Sequence, residues 1–182
     1  IDSIADMKGK TSVMQSRGNT AELITQHILK TQGLTYDSLK KANFVAGYND
    51  AVAMLKDGQA DVFTLGTTAP ASAVMNSARD IKLIGVDAKT LAAMQAINPG
   101  YYLATIKAGT YQKQAKDVDV IAYSTHLIAA CDLPEDTVYR MTKAMAERAG
   151  ELTAVVKAVA GLDAKAMGKD TGVPFHKGAA RY

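Results

Sequence analysis

An open, doubly wound α/β sheet is the fold this sequence predicts for its first hundred residues. Three observations predict it. Across residues 8–100, short apolar or β-branched runs alternate with amphipathic segments of helical length. Polar loops with capping residues precede those helices, and glycine or Pro-Gly closes them. The strands are too far apart in sequence for hairpins, so they require parallel pairing through right-handed crossovers.

Taken in order, Lys10–Gln15 reads as the first strand. Asn19 serves as N-cap of the next helix, with Glu22 three residues on as in a capping box. That helix is expected to bury Leu23, Ile24, His27 and Ile28, and Gly33 ends it as a C′ residue. Ala42–Ala46 is the second strand. Asn49 or Asp50 caps a short helix carrying Val52 and Leu55 inward, closed by Gly58. Ala60–Leu65 is the third strand, followed by Gly66-Thr67-Thr68 and by Pro70 near a helix start. Ile81–Val86 is the fourth strand, and Asp87 caps a helix that runs to about Ile97 and stops at Pro99-Gly100.

The pattern then changes. Tyr101–Tyr111 reads as extended and irregular, and Gln112–Asp119 as polar. Val118–Ala130 is a long apolar run, expected as a buried strand. Pro134-Glu135-Asp136 opens a helix with Val138, Met141 and Met145 inward, and Glu151–Ala160 forms a second that ends at Gly161. The closing residues read as loop up to Gly172-Val173-Pro174-Phe175-His176. The expected organisation is a complete α/β ligand-binding lobe over 8–100, a hinge or crossover over 101–130, and helices of an incomplete second lobe over 131–182. One clear strand after residue 100 cannot cover those helices.

Composition narrows the function classes. The 182 residues are 48% hydrophobic and 21% charged, an ordinary globular balance. The net charge of +3 comes from interspersed acidic and basic residues, which argues against a nucleic-acid partner. Cys131 stands alone, which excludes an intrachain disulfide, and a lone thiol of this kind reads as a small buried hydrophobe. His27, His126 and His176 are scattered, and no His, Cys and carboxylate set has metal-ligand spacing. There is no G-x-S-x-G elbow. Lys8-Gly9-Lys10-Thr11 has the letters of a phosphate-loop ending, but Ile4 stands where the first Gly belongs, and the segment precedes a strand. The expectation is a binding protein without cofactor or metal, not an enzyme.

In a doubly wound sheet, ligands sit beyond the carboxyl ends of the strands. Loops Gln15–Asn19, Gly47–Asp50 and Gly66–Thr68 all lie there and lead into helix N-termini, which offer free N–H groups and a positive dipole end. The candidate ligand-binding residues are Gln15, Ser16, Arg17, Gly18, Asn19, Thr20, Tyr48, Thr67, Thr68 and Ala69. Arg17 reads either as a solvated surface charge or as the partner of a carboxylate. Asn19, Thr20, Thr67 and Thr68 read as caps that can also donate to a ligand, and Tyr48 as either a pocket wall or a core residue.

Several phrases then fall together. Ile4-Ala5-Asp6-Met7-Lys8-Gly9-Lys10, Leu55-Lys56-Asp57-Gly58-Gln59-Ala60-Asp61, Ala108-Gly109-Thr110-Tyr111, Leu133-Pro134-Glu135-Asp136 and the closing Val173-Pro174-Phe175-His176-Lys177-Gly178-Ala179-Ala180-Arg181-Tyr182 occur in order. This set resembles the TAXI family, the solute receptors associated with TRAP transporters. The resemblance implies a fold like that of type II periplasmic binding proteins, with two lobes joined by a hinge. It also implies a periplasmic, extracytoplasmic receptor that closes around a small organic anion, a carboxylate or an acidic amino acid, and delivers it to membrane permease subunits. The family's first ligand loop usually reads G-S-G-T-E; Arg17-Gly18-Asn19-Thr20-Ala21 keeps Thr20 of that pattern. The resemblance implies that about the first third of a full member is missing here, so the uncovered helices are expected to promote self-association. A cytoplasmic effector-binding domain of a transcription regulator is the alternative with the same two-lobe architecture.

Overall fold

A computed structural model describes residues 1–64, 81–111, 113–155, 159–169 and 172–182. The chain is mixed α/β and divides into two units, Ile1–Tyr123 and Ser124–Tyr182.

The first unit is built around β1 (Thr11–Gln15), whose residues Ser12–Gln15 are all buried. Helix α1 (Thr20–Thr31) carries the chain to β2 (Lys41–Val45), and α2 (Tyr48–Lys56) carries it to β3 (Val62–Phe63). All three strands are parallel in the order β2-β1-β3, with Val13 opposite Asn43 on one side and Phe63 on the other. This places β1 at the point where the winding reverses.

Alternation along β1 divides the core between the two faces. Met14 packs with Leu29 of α1, and with Ile4, Met7 and Leu39. Val13 packs on the opposite face with Ala51 of α2 and Ala60. Complete burial of a side chain such as Met14 or Leu29 contributes about 1.5–3 kcal/mol.

Helix α1 ends in a Schellman motif: Gly33 N–H donates to Lys30 O and Leu34 N–H to Leu29 O, with Gly33 at φ 66°. Its buried face differs from the expected one. Glu22, Thr25 and Leu29 are inside, His27 and Ile28 are half-buried, and Leu23 is 47% exposed. The reason is polar: Glu22 and Thr25 are buried because each has partners there.

Other sequence expectations shift as well. Helix α2 is capped by Gly47 rather than Asn49 or Asp50 and begins at Tyr48, two or three residues earlier than the polar pair suggests. The third strand is shorter than Ala60–Leu65, although Asp61 N–H still donates to Thr11 O and Thr64 N–H to Val13 O. Leu65 lies outside the described residues. Ile81–Val86 forms no strand; Ile84 and Val86 pack against the cluster around Met14, Lys82 pairs with Asp2, and Val86 N–H donates to Asp119 O at 2.9 Å.

That bond leads to an element read as irregular. Tyr102–Ile106 (β4) pairs antiparallel with Val118–Ala122 (β5), after α3 (Ala88–Ile97), which Asp87 caps as expected. The connection is pinned by Asp117, which accepts from Ala108 N–H and Lys107 Nζ, both at 2.8 Å. The apolar run past Ala122 is not a buried strand: Leu127 is 65% and Ile128 88% exposed.

The second unit contains α4 (Glu135–Glu147), α5 (Ala149–Val155), α6 (Ala164–Met167) and α7 (Lys177–Arg181). Of the expected inner face of α4, Val138 is buried, Met145 is half-buried and Met141 is exposed. Helix α7 lies against the start of α4. Arg181 donates to Glu135 Oε1 and Asp136 Oδ1, and its guanidinium sits 4.2 Å over the Tyr139 ring. Cys131 is exposed, in the turn before α4.

Candidate functional site

The loop after β1 is organised by a buried carboxylate. Glu22 lies in the first turn of α1 and is 3% exposed. Its Oε1 accepts from Tyr36 OH and Gln26 Nε2, both at 2.6 Å, and its Oε2 from Gly18 N–H at 3.2 Å. Burial works to raise its pKa, but the Tyr36, Gln26 and Gly18 hydrogen bonds and the Arg17 charge outweigh it, so Glu22 stays below the usual carboxylate range. Burial, and then the adjoining Glu22, push the Tyr36 hydroxyl far up. The result is a charged carboxylate with three hydrogen bonds that fixes Gly18, at φ 82°, against the helix start.

Arg17 is part of the same cluster. Its guanidinium lies 4.3 Å from the Phe44 ring centroid and 5.8 Å from that of Tyr36. Stacking spends the face of a guanidinium and leaves its N–H fork in the plane. Arg17 is exposed and makes no ion pair with a described residue. The side chain is therefore held in place without using its hydrogen-bonding edge on any described residue.

Asn19 caps α1 as expected, its Oδ1 accepting from Ala21 N–H at 2.9 Å. The capping box does not form in the expected way: Glu22 turns to Gly18 rather than to Asn19. The N–H of Gly18, expected to face a ligand, is thus already donated. Those of Thr20 and Glu22 have no acceptor among the described residues and remain available at the dipole end. Ser16 Oγ donates to Val45 O at 3.3 Å, tying this loop to the end of β2.

A second cluster lies on the face of the sheet that carries α2. Tyr48 opens that helix with its ring 6.4 Å from that of Phe63. Gln15, the last residue of β1, shares this face with Val13 by alternation. It is 5% exposed, and its Nε2 has no hydrogen-bond partner among the described residues. Between β3 and α1, Thr25 Oγ1 and Thr64 Oγ1 are 2.8 Å apart, and Thr25 donates to Ala21 O. A hydroxyl has one proton, so Thr64 supplies the proton between them.

The structure therefore gathers Ser16, Arg17, Gly18, Asn19 and Thr20 at the start of α1, and Gln15 and Tyr48 at the start of α2. Both groups lie at the carboxyl edge of one parallel sheet. Thr67, Thr68 and Ala69 lie outside the described residues. Sequence reasoning missed Tyr36 and Phe44, which come from a 3₁₀ turn and a strand beyond α1 and which no local spacing connects to Arg17. Among the described residues no His, Cys, Asp and Glu cluster is suited to a metal, and no helix is long and apolar enough to cross a membrane.

Comparison with known families decides the broad class. Residues 1–182 match the model of the NMT1-like family. The chain belongs to that family. NMT1-like proteins are of the periplasmic substrate-binding kind, so the protein is a solute- or ligand-binding protein with a small-molecule ligand. The parallel sheet with its helices is compatible with the fold of periplasmic binding proteins.

Proposed function

We propose that this NMT1-like protein is an extracytoplasmic solute receptor of the TAXI type, acting with a TRAP-type secondary transporter. In this reading it is a periplasmic binder rather than an enzyme. It captures a small organic anion, a carboxylate or an acidic amino acid, and hands it to the permease subunits. The observation that carries the reading is the carboxyl edge of the β2-β1-β3 sheet, where two loops lead into the N-termini of α1 and α2 within a chain of binding-protein family.

Physically, the edge offers what a carboxylate requires. Arg17 presents an unspent N–H fork, and the first turn of α1 presents free backbone donors. Asn19 and Thr20 stand beside them, and Thr67, Thr68 and Ala69 complete the proposed set. Binding would act by differential contact: ligand touches both lobes only when they close, and so shifts the open–closed equilibrium.

Titration calorimetry with small carboxylates on the wild type and on Arg17→Ala tests this. The expected loss on removing Arg17 is about 1.5–3 kcal/mol, the scale of a charge-assisted hydrogen bond. Unchanged affinity would remove Arg17 from the site.

A further inference from the structure

We propose that Gln15 and the first turn of α2 form a carboxylate subsite, with Asp50 at its rim opposing the incoming charge. The inference rests on the solute-receptor reading and assigns it a second point of contact, across the sheet from Arg17.

Gln15 carries the argument. A buried amide nitrogen without a partner is uncommon and costly, because its two N–H groups lose water and gain nothing. Ser12 Oγ is similarly unpartnered, but it lies mid-strand, enclosed between β2 and β3. Gln15 stands at the carboxyl end of β1, opposite Val45, and α2 begins three residues after Val45. On this face Val13 packs on Ala51, one turn into α2, so the amide is directed to the start of that helix.

The helix start is also unspent. Gly47, the N-cap, provides no side-chain acceptor, and the N–H groups of Tyr48, Asn49 and Asp50 have none among the described residues. Uncapped N–H groups and a buried NH₂ on one face make a set of donors with no acceptor, suited to the two oxygens of a carboxylate. The competing group is Asp50, whose Oδ2 would lie 3.2 Å from a Cβ placed on Gly47. A side chain at that position would displace the Asp50 carboxylate by only a few tenths of an ångström; with glycine there, Asp50 stays close to the helix start and repels an anion.

Propionate is the probe, with chloride at matched ionic strength as control, read by calorimetry and thermal unfolding on the full chain. Gln15→Met is expected to raise the ligand-free Tm, since it replaces an unpartnered amide by an apolar side chain of similar volume, and to weaken propionate roughly tenfold or more. Gln15→Glu keeps the shape, substitutes an acceptor for the donor, and is expected to weaken propionate as strongly. Asp50→Asn is expected to strengthen it. Propionate binding equally well to wild type and to both Gln15 variants would overturn the subsite and leave the receptor reading standing. A fall in ligand-free Tm for Gln15→Met would show that the amide is satisfied, and would also overturn it. If propionate, succinate and glutamate all failed to bind the wild type, the receptor reading would fall and the subsite with it.

Discussion

Replacing Glu22 by Gln tests the organisation of the first loop through a pH-dependent loss of stability. The variant keeps the shape of the side chain but removes its charge. It also turns one oxygen, the acceptor of Gly18 N–H, into a nitrogen that cannot accept. Hydrogen bonds to a charged group are stronger than neutral ones by about 1 kcal/mol, and the Tyr36 and Gln26 bonds are of that kind. Adding one lost bond, the expected cost near neutral pH is about 2–3 kcal/mol. Because the folded-state pKa of Glu22 is lowered from 4.5, the contribution of its charge is fully present above that value. It is lost as pH falls through the folded-state pKa. Urea denaturation followed by circular dichroism, at a series of pH values from neutral to acid, should therefore give wild-type and variant curves that converge on acidification. A difference under about 0.5 kcal/mol at neutral pH, or one that does not change with pH, would refute the reasoning.

Two further substitutions probe other joints. Thr25→Val keeps the volume of the side chain but strands the Thr64 hydroxyl, and should cost about 1 kcal/mol in the same denaturation assay; a neutral result would show that the link between β3 and α1 is incidental. Gly178→Ala would place a methyl against Glu135 O and 2.8 Å from Tyr139 N, in the join between α7 and α4. Hydrogen exchange should show loss of protection in both helices, with a cost of about 2 kcal/mol or more, and unchanged protection would mean that α7 can shift without penalty.

The order β1-α1-β2-α2 was legible because its punctuation is local: Asn19, Gly33 and Gly58 act within a turn of where they stand. The buried face of α1 was not, because Glu22 and Thr25 are admitted to the interior by Tyr36 and Thr64, distant in sequence. Strand β4 reads in sequence only as extended and irregular, because a half-exposed strand with Thr105 facing Asp119 carries little apolar signal, whereas β5 was legible as the start of the apolar run from Val118. Conversely, the apolar letters of Leu127 and Ile128 suggested burial that the backbone does not provide. At the site, the loops and their location were legible, since they follow from strand–loop–helix order. The division of labour within them was not. Gly18 serves Glu22, the face of Arg17 rests on Phe44, and the donors unspent among the described residues are the Arg17 fork, the Gln15 amide, the Thr20 and Glu22 N–H groups and the start of α2.

The central claim is that a small solute binds at the carboxyl edge of the sheet, and amide chemical shifts during a propionate titration test it most directly. Perturbations are expected to concentrate at Gln15–Thr20 and at Gly47–Asp50. Shifts concentrated instead around the shallow depression formed by Ile1, Asp2, Ala5, Asp6, Lys8 and Lys10, before the start of β1, would contradict it.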